Sequence, residues 1–172
     1  MKKILLCCAC ALLAACSGKR LPPGDVSYSP KNGGFSAAIP GSWRVLENNG
    51  GALASFFGPP NGPAPFSAMI AIYDYPKSRY ASPQDYYNRA TFDARVVAPL
   101  SKRKFGGRDL GFFSVAKAEK NIDSGESTLA REETVLVPSK DGFYALVYLC
   151  SDKSFQDNEP VFLNLAASFA EH

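Results

Sequence analysis

Histidine is almost missing: of 172 residues one is histidine, and it is His172, the last. A Ser-His-Asp or Cys-His mechanism needs an imidazole held rigidly between neighbours, and a chain end is expected to fray. Cysteine is scarce where a fold would use it. Cys7, Cys8, Cys10 and Cys16 lie in the first sixteen residues, which leaves Cys150 alone. That excludes a disulfide inside the remainder, and one cysteine with a terminal histidine cannot supply the three N or S ligands of a zinc site. Cys150 ends an apolar run, where a thiol acts as a small hydrophobe. No cofactor is expected either. Gly50-Gly51 and Gly106-Gly107 lead into strand-like stretches, so neither opens a phosphate-cradling helix. Asp123 and Glu126 fall in a turn without calcium-loop spacing. Glu132 and Glu133 are adjacent on a strand and point to opposite faces, so they cannot act as a carboxylate pair.

A long apolar run is also lacking. The uncharged segment from Ile4 to Ala15 has twelve residues, and a helix crossing a ~30 Å hydrocarbon core takes about 20. Behind Lys2 and Lys3 it reads as a secretory signal. It ends in Leu13-Ala14-Ala15-Cys16, which resembles the bacterial lipobox. The resemblance implies cleavage before Cys16 and a diacylglyceryl group on its thiol, with acylation (a palmitate-type chain) of the freed amine as a further step. Two or three chains hold a protein on a membrane stably where one does not. Residues 1–15 are then the signal peptide, 16–25 a lipidated tether and 26–170 a single domain. Ser17 stands where inner-membrane lipoproteins carry a retaining aspartate, which favours the outer membrane in a cell that has two.

Charge of one sign is not in excess. The 19 basic residues lose Lys2 and Lys3 with the signal, against 16 acidic ones, so the mature charge is about +1. Nucleic acid is therefore not an expected partner. With 46% hydrophobic residues, the domain is stabilised by its core alone.

The rest of the chain alternates between strand and turn. Val26–Ser29 and Phe35–Ile39 flank an Asn32-Gly33 turn and predict a hairpin. Further strands are expected at Trp43–Leu46, Ala52–Phe57 and Phe66–Tyr75. Between the last two, the four prolines of residues 58–65 keep that loop out of a sheet interior. Ser82-Pro83-Gln84-Asp85 is a helix start, and Tyr86, Ala90, Ala94 and Val97 extend the helical spacing to Pro99. Strands at Arg108–Lys120, Leu129–Val137 and Phe143–Cys150 follow, the last apolar enough to be central and buried on both faces. A closing helix is capped by Asp152 or Ser154, with Pro160 near its start and Val161, Phe162, Leu165, Ala166 and Phe169 as its apolar stripe. This order predicts an α+β fold, an antiparallel sheet covered by helices.

Phe35-Ser36-Ala37-Ala38-Ile39-Pro40-Gly41-Ser42-Trp43 resembles the opening of PsbP-like domains, F-x-x-x-(I/V)-P-x-x-W. Tyr144–Tyr148, Phe155-Gln156, Pro160-Val161-Phe162 and Ser168-Phe169 are similar to the end of such domains, where a last strand leads to a helix closing on Ser-Phe. That superfamily includes small bacterial lipoproteins and a Ran-binding nuclear import factor. The resemblance covers residues 26–170 and implies an α-β-α sandwich that assists or binds other components. It carries no shared catalytic constellation, so it transfers no site residue.

Two surface features remain. Lys102-Arg103-Lys104 with Arg108 either meets anionic lipid headgroups or guards a sheet edge against aggregation, and the second is preferred. Five of eight tyrosines, Tyr73, Tyr75, Tyr80, Tyr86 and Tyr87, lie within fifteen residues. Tyrosine joins apolar area to a polar tip and suits interfaces, so these five, with the proline loop, are the candidate partner surface. The competing reading divides them between core and half-exposed positions. The sequence thus predicts a non-enzymatic lipoprotein, anchored to the membrane through Cys16, that binds or helps assemble an envelope protein. The alternatives are a small-molecule-binding or carboxylate-dependent hydrolytic lipoprotein, and a structural surface protein.

Overall fold

The computed structural model describes residues 23–60, 66–120 and 127–172. The signal, Cys16, most of the tether, residues 61–65 of the proline loop, Asp123 and Glu126 lie outside them.

Among the described residues ten strands and two α-helices follow in the order β1 (Asp25–Tyr28), β2 (Phe35–Pro40), β3 (Arg44–Asn49), β4 (Ala52–Phe57), β5 (Ala68–Pro76), α1 (Pro83–Ala90), β6 (Arg95–Phe105), β7 (Arg108–Lys120), β8 (Ser127–Pro138), β9 (Gly142–Ser151), α2 (Phe155–Ser168) and β10 (Ala170–Glu171). Seven strands form one antiparallel sheet, β3-β4-β5-β9-β8-β7-β6, and β1-β2-β10 form a small second one. β9 is the middle strand of the large sheet, as its unbroken apolar run requires.

The small sheet and α2 cover one face of the large sheet. Phe35 and Ile39 of β2 and Phe155, Phe162, Leu165 and Phe169 at α2 meet Ile70, Ile72, Leu146 and Tyr148. The Ser-Phe ending has a physical role here. Ser168 Oγ accepts from the Ala38 N–H at 2.8 Å, and the Phe169 ring stacks on Phe35 at 5.3 Å. Together they fasten the end of α2 to β2. α1 covers part of the opposite face, where Tyr86 packs on Phe113 and Phe143.

Three local expectations are corrected. The first helix does not run to Pro99 but ends at Ala90, where Thr91 caps it with its N–H and Oγ1 both donating to the Tyr87 carbonyl. The stretch read as its second half is strand β6, because Val96 and Val97 favour an extended chain. Pro99 is accommodated there because β6 is an edge strand whose register shifts between Ala98 and Ser101. Pro160 is the sixth residue of α2, beyond its first turn, and it is exposed, so the helix forgoes one backbone bond on its solvent side. The C-terminus is not frayed. His172 donates its N–H to the Gly34 carbonyl at 3.0 Å and its Nε2 lies 2.9 Å from Ser36 Oγ.

Candidate interaction face

The helix-α1 side of the large sheet gathers the five tyrosines. Tyr73 and Tyr75 are two apart on β5 and so share a face. Their rings stack at 5.6 Å with 6° between the planes. Ser82 accepts from the Asp85 N–H at 3.2 Å and starts α1, which sets Tyr86 one turn along, over the sheet. Tyr80, in the connection before α1, meets Tyr75 at 5.1 Å and Tyr86 at 5.2 Å edge to face. Tyr87 reaches Phe113 at 5.2 Å. Tyr75 and Tyr86 are buried, whereas Tyr73, Tyr80 and Tyr87 are half-buried. The cluster is therefore both a core element and a surface.

Its electrostatics follow from partial burial. Desolvation pushes Tyr75 up to about 12, aided by Tyr73 and Tyr80 and opposed by the Arg79 guanidinium. Desolvation raises Tyr86 further, and it raises Tyr73 with help from the Glu132 carboxylate. These three hydroxyls keep their protons at neutral pH. Arg79 lies over the Tyr75 ring at 5.0 Å and the Tyr80 ring at 5.9 Å. Glu132 bonds Lys117 at 3.2 Å on this same face. The tyrosine count does not reveal Arg79, Lys117 or Glu132. The parity of Glu132 with Leu136 on β8 is the signal that places it.

One further residue belongs to this side. Phe92 stands two positions past α1 and is 86% exposed. An aromatic ring left in water has an unmet hydrophobic cost. A helix drawn through to Pro99 hides it in the sequence.

The described start of the proline loop lies away from this face. That start, Gly58 to Pro60, is bonded across to Ser67 and Ala68 at the beginning of β5, while Tyr73 and Tyr75 are near its end. At ~3.3 Å per residue the separation is roughly 20 Å.

The basic cluster is divided by the sheet. Arg103 lies over Phe112 at 4.8 Å, and Arg108 donates to the Ala166 carbonyl near the end of α2 at 3.1 Å. Lys102 lies on β6, the outermost strand, opposite Gly111 of β7, where edge protection requires a lysine. Cys150 is buried, its thiol donating to the Ser67 carbonyl at 3.1 Å, and burial raises its pKa against hydrogen bonds from Tyr148 and Ser151. The α2 face also encloses Glu133, which is 2% exposed. Burial and the Glu159 carboxylate push it up to about 7, against the pull of Arg131 and Arg103.

Solved structures share this arrangement. Cyanobacterial PsbP (CyanoP) from Synechocystis superposes with a TM-score of 0.51 at 11% identity, over 93% of this chain and 99% of its own. The fold is PsbP-like. LpqN of Mycobacterium tuberculosis, a protein involved in cell envelope biogenesis, gives 0.54 at 11% identity over 86% of this chain and 90% of its own. A Bacteroides thetaiotaomicron protein gives 0.59 at 12% identity over 87% of this chain, which spans about half (49%) of that protein. No family model and no curated protein sequence matches the chain. At these identities the PsbP-like likeness carries fold alone.

Proposed function

We propose that this chain is a lipid-anchored accessory of the cell envelope that binds a protein partner through its tyrosine face and performs no chemistry of its own. The supporting observation is the composition of that face: Tyr73, Tyr80 and Tyr87 half-exposed around a buried Tyr75–Tyr86 pair, with Phe92, two positions past α1, 86% exposed. A buried aromatic centre with a wetter rim is the usual anatomy of a protein interface. The envelope role of LpqN, on the same fold, agrees with this reading.

The anchor supplies proximity. Cys16 carries the lipid, and β1 begins nine residues further on at Asp25, a reach of at most ~30 Å. The domain therefore works near a membrane surface, the outer membrane where two exist. Cys16→Ser should leave an uncut precursor in the soluble fraction, and continued membrane partition of that variant would refute the anchor. For the face, purification of Tyr73→Ala/Tyr87→Ala/Phe92→Ser protein from cross-linked cells should lose the partner that wild type retains. Retention of the same partner by a folded variant would remove the face from the account.

A further inference from the structure

A cavity of about 430 Å³ opens between the start of α1 and the β6–β9 part of the sheet, within the size range of small-molecule sites. Leu100, Leu136 and Phe143 give it an apolar lining. Gly111 keeps the floor hollow: a Cβ there would stand 3.3 Å from Leu136 Cβ and 3.6 Å from Leu100 Cδ1. The register shifts ahead of Ser101 bend β6 where it forms the rim. At the mouth, the Gln84 amide is braced by donating to Asn88 Oδ1 at 2.8 Å.

The ionisable lining is of one sign. Lys102 is the charged side chain among the described lining residues, and no Asp or Glu lines the space. Lys102 is exposed and forms no ion pair among the described residues. A hydrolytic reading draws nothing from such a lining, but a binding reading does. We infer that this cavity holds a small monoanionic amphiphile, with an apolar body of about ten carbon-sized atoms over Leu100 and Leu136 and a carboxylate against Lys102. At ~30 Å³ for a water-sized unit, the half-open space takes a molecule of that length. The apolar body gains from desolvation, and the single cation selects the sign of the head. This site adjoins the tyrosine cluster through Phe143, but none of the five tyrosines lines it, and it stands whether or not that face binds a protein.

The test uses three eight-carbon probes below their micelle concentrations: octanoate, octan-1-ol and octylammonium. Each is titrated into the full chain while the methyl resonances of Leu100 and Leu136 are followed. Octanoate should shift both methyls saturably and bind about tenfold tighter than octylammonium. Lys102→Glu, on an exposed strand, should cost octanoate about tenfold and leave octanol unchanged. Leu100→Trp, made on the edge strand to avoid the sheet interior, should abolish binding of all three. Equal binding of octanoate and octylammonium would overturn the assignment, as would an unshifted pair of leucine methyls with every probe.

Discussion

Arg131 Nη2 stands 3.7 Å from Glu133 Oε1, and that carboxylate is 2% exposed between the sheet and α2. The arginine is too far for a good hydrogen bond, and its guanidinium lies instead over the Phe155 ring at 4.2 Å. Among the described residues Glu133 Oε2 and Arg131 Nε make no hydrogen bond. A buried ion pair with unsatisfied ends costs stability.

This gives a pH dependence with a definite sign. The folded pKa of Glu133 is raised, to about 7 from 4.5, so the folded state holds the proton longer than the unfolded one. The contribution is complete below about pH 4.5 and is lost as pH climbs to about 7, by up to ~3 kcal/mol. Glu133→Gln should flatten this part of the stability profile and exceed wild type at pH 8. Urea denaturation at a series of pH values measures it; an unchanged slope would contradict the raised pKa.

The tyrosines should separate into two classes. Tyr86→Ala removes a ring packed on Phe113 and Phe143 and should cost about 3–5 kcal/mol. Tyr73→Ala and Tyr87→Ala, half-buried, should cost about 1–2 kcal/mol, yet weaken partner capture more than Tyr86→Phe does. Chemical denaturation beside quantitative pull-down distinguishes the classes.

Much of this was legible beforehand, for identifiable reasons. Alternation and turn chemistry located β2, β4, β7 and β9, and the hydrophobicity of Phe143–Cys150 placed β9 at the centre. The stretch that misleads runs from Thr91 to Pro99. Its apolar residues keep a helical interval by chance, while the fold needs an edge strand there and tolerates Pro99 at a bulge. Glu133 was dismissed for failing to pair with Glu132. Its burial is a long-range outcome, set by α2 lying across the sheet, and no local pattern encodes it. The tyrosine grouping is visible as a count, but sequence proximity also draws in the proline loop, whose described start, Gly58 to Pro60, β5 holds away from the tyrosines.

Two glycines with similar backbones should differ in cost. Gly106 and Gly107 both have positive φ, of 56° and 85°. A Cβ at Gly106 would collide with the Ala167 carbonyl oxygen of α2, whereas at Gly107 nothing lies within 4 Å. Gly107→Ala should cost about 1 kcal/mol from backbone strain, and Gly106→Ala appreciably more because α2 must move. Equal melting temperatures would contradict the packing of α2 on the β6–β7 turn.

Arg108 should matter through α2 and not through lipid. Arg108→Ala deletes the bond to the Ala166 carbonyl and should cost about 1 kcal/mol, in the range of a cation at a helix C-terminus. Binding to anionic vesicles should be unchanged by the same substitution. Flotation with and without anionic lipid checks the second half.

The direct test of the central claim is site-specific photo-cross-linking in intact cells, from probes placed at Tyr73, Tyr87 and Phe92, with Ser27 on exposed β1 as the control. The account predicts one discrete adduct, to the same envelope protein, from the first three positions and none from Ser27. Adducts of equal yield from Ser27, or no adduct from any of the three aromatic positions, would contradict it.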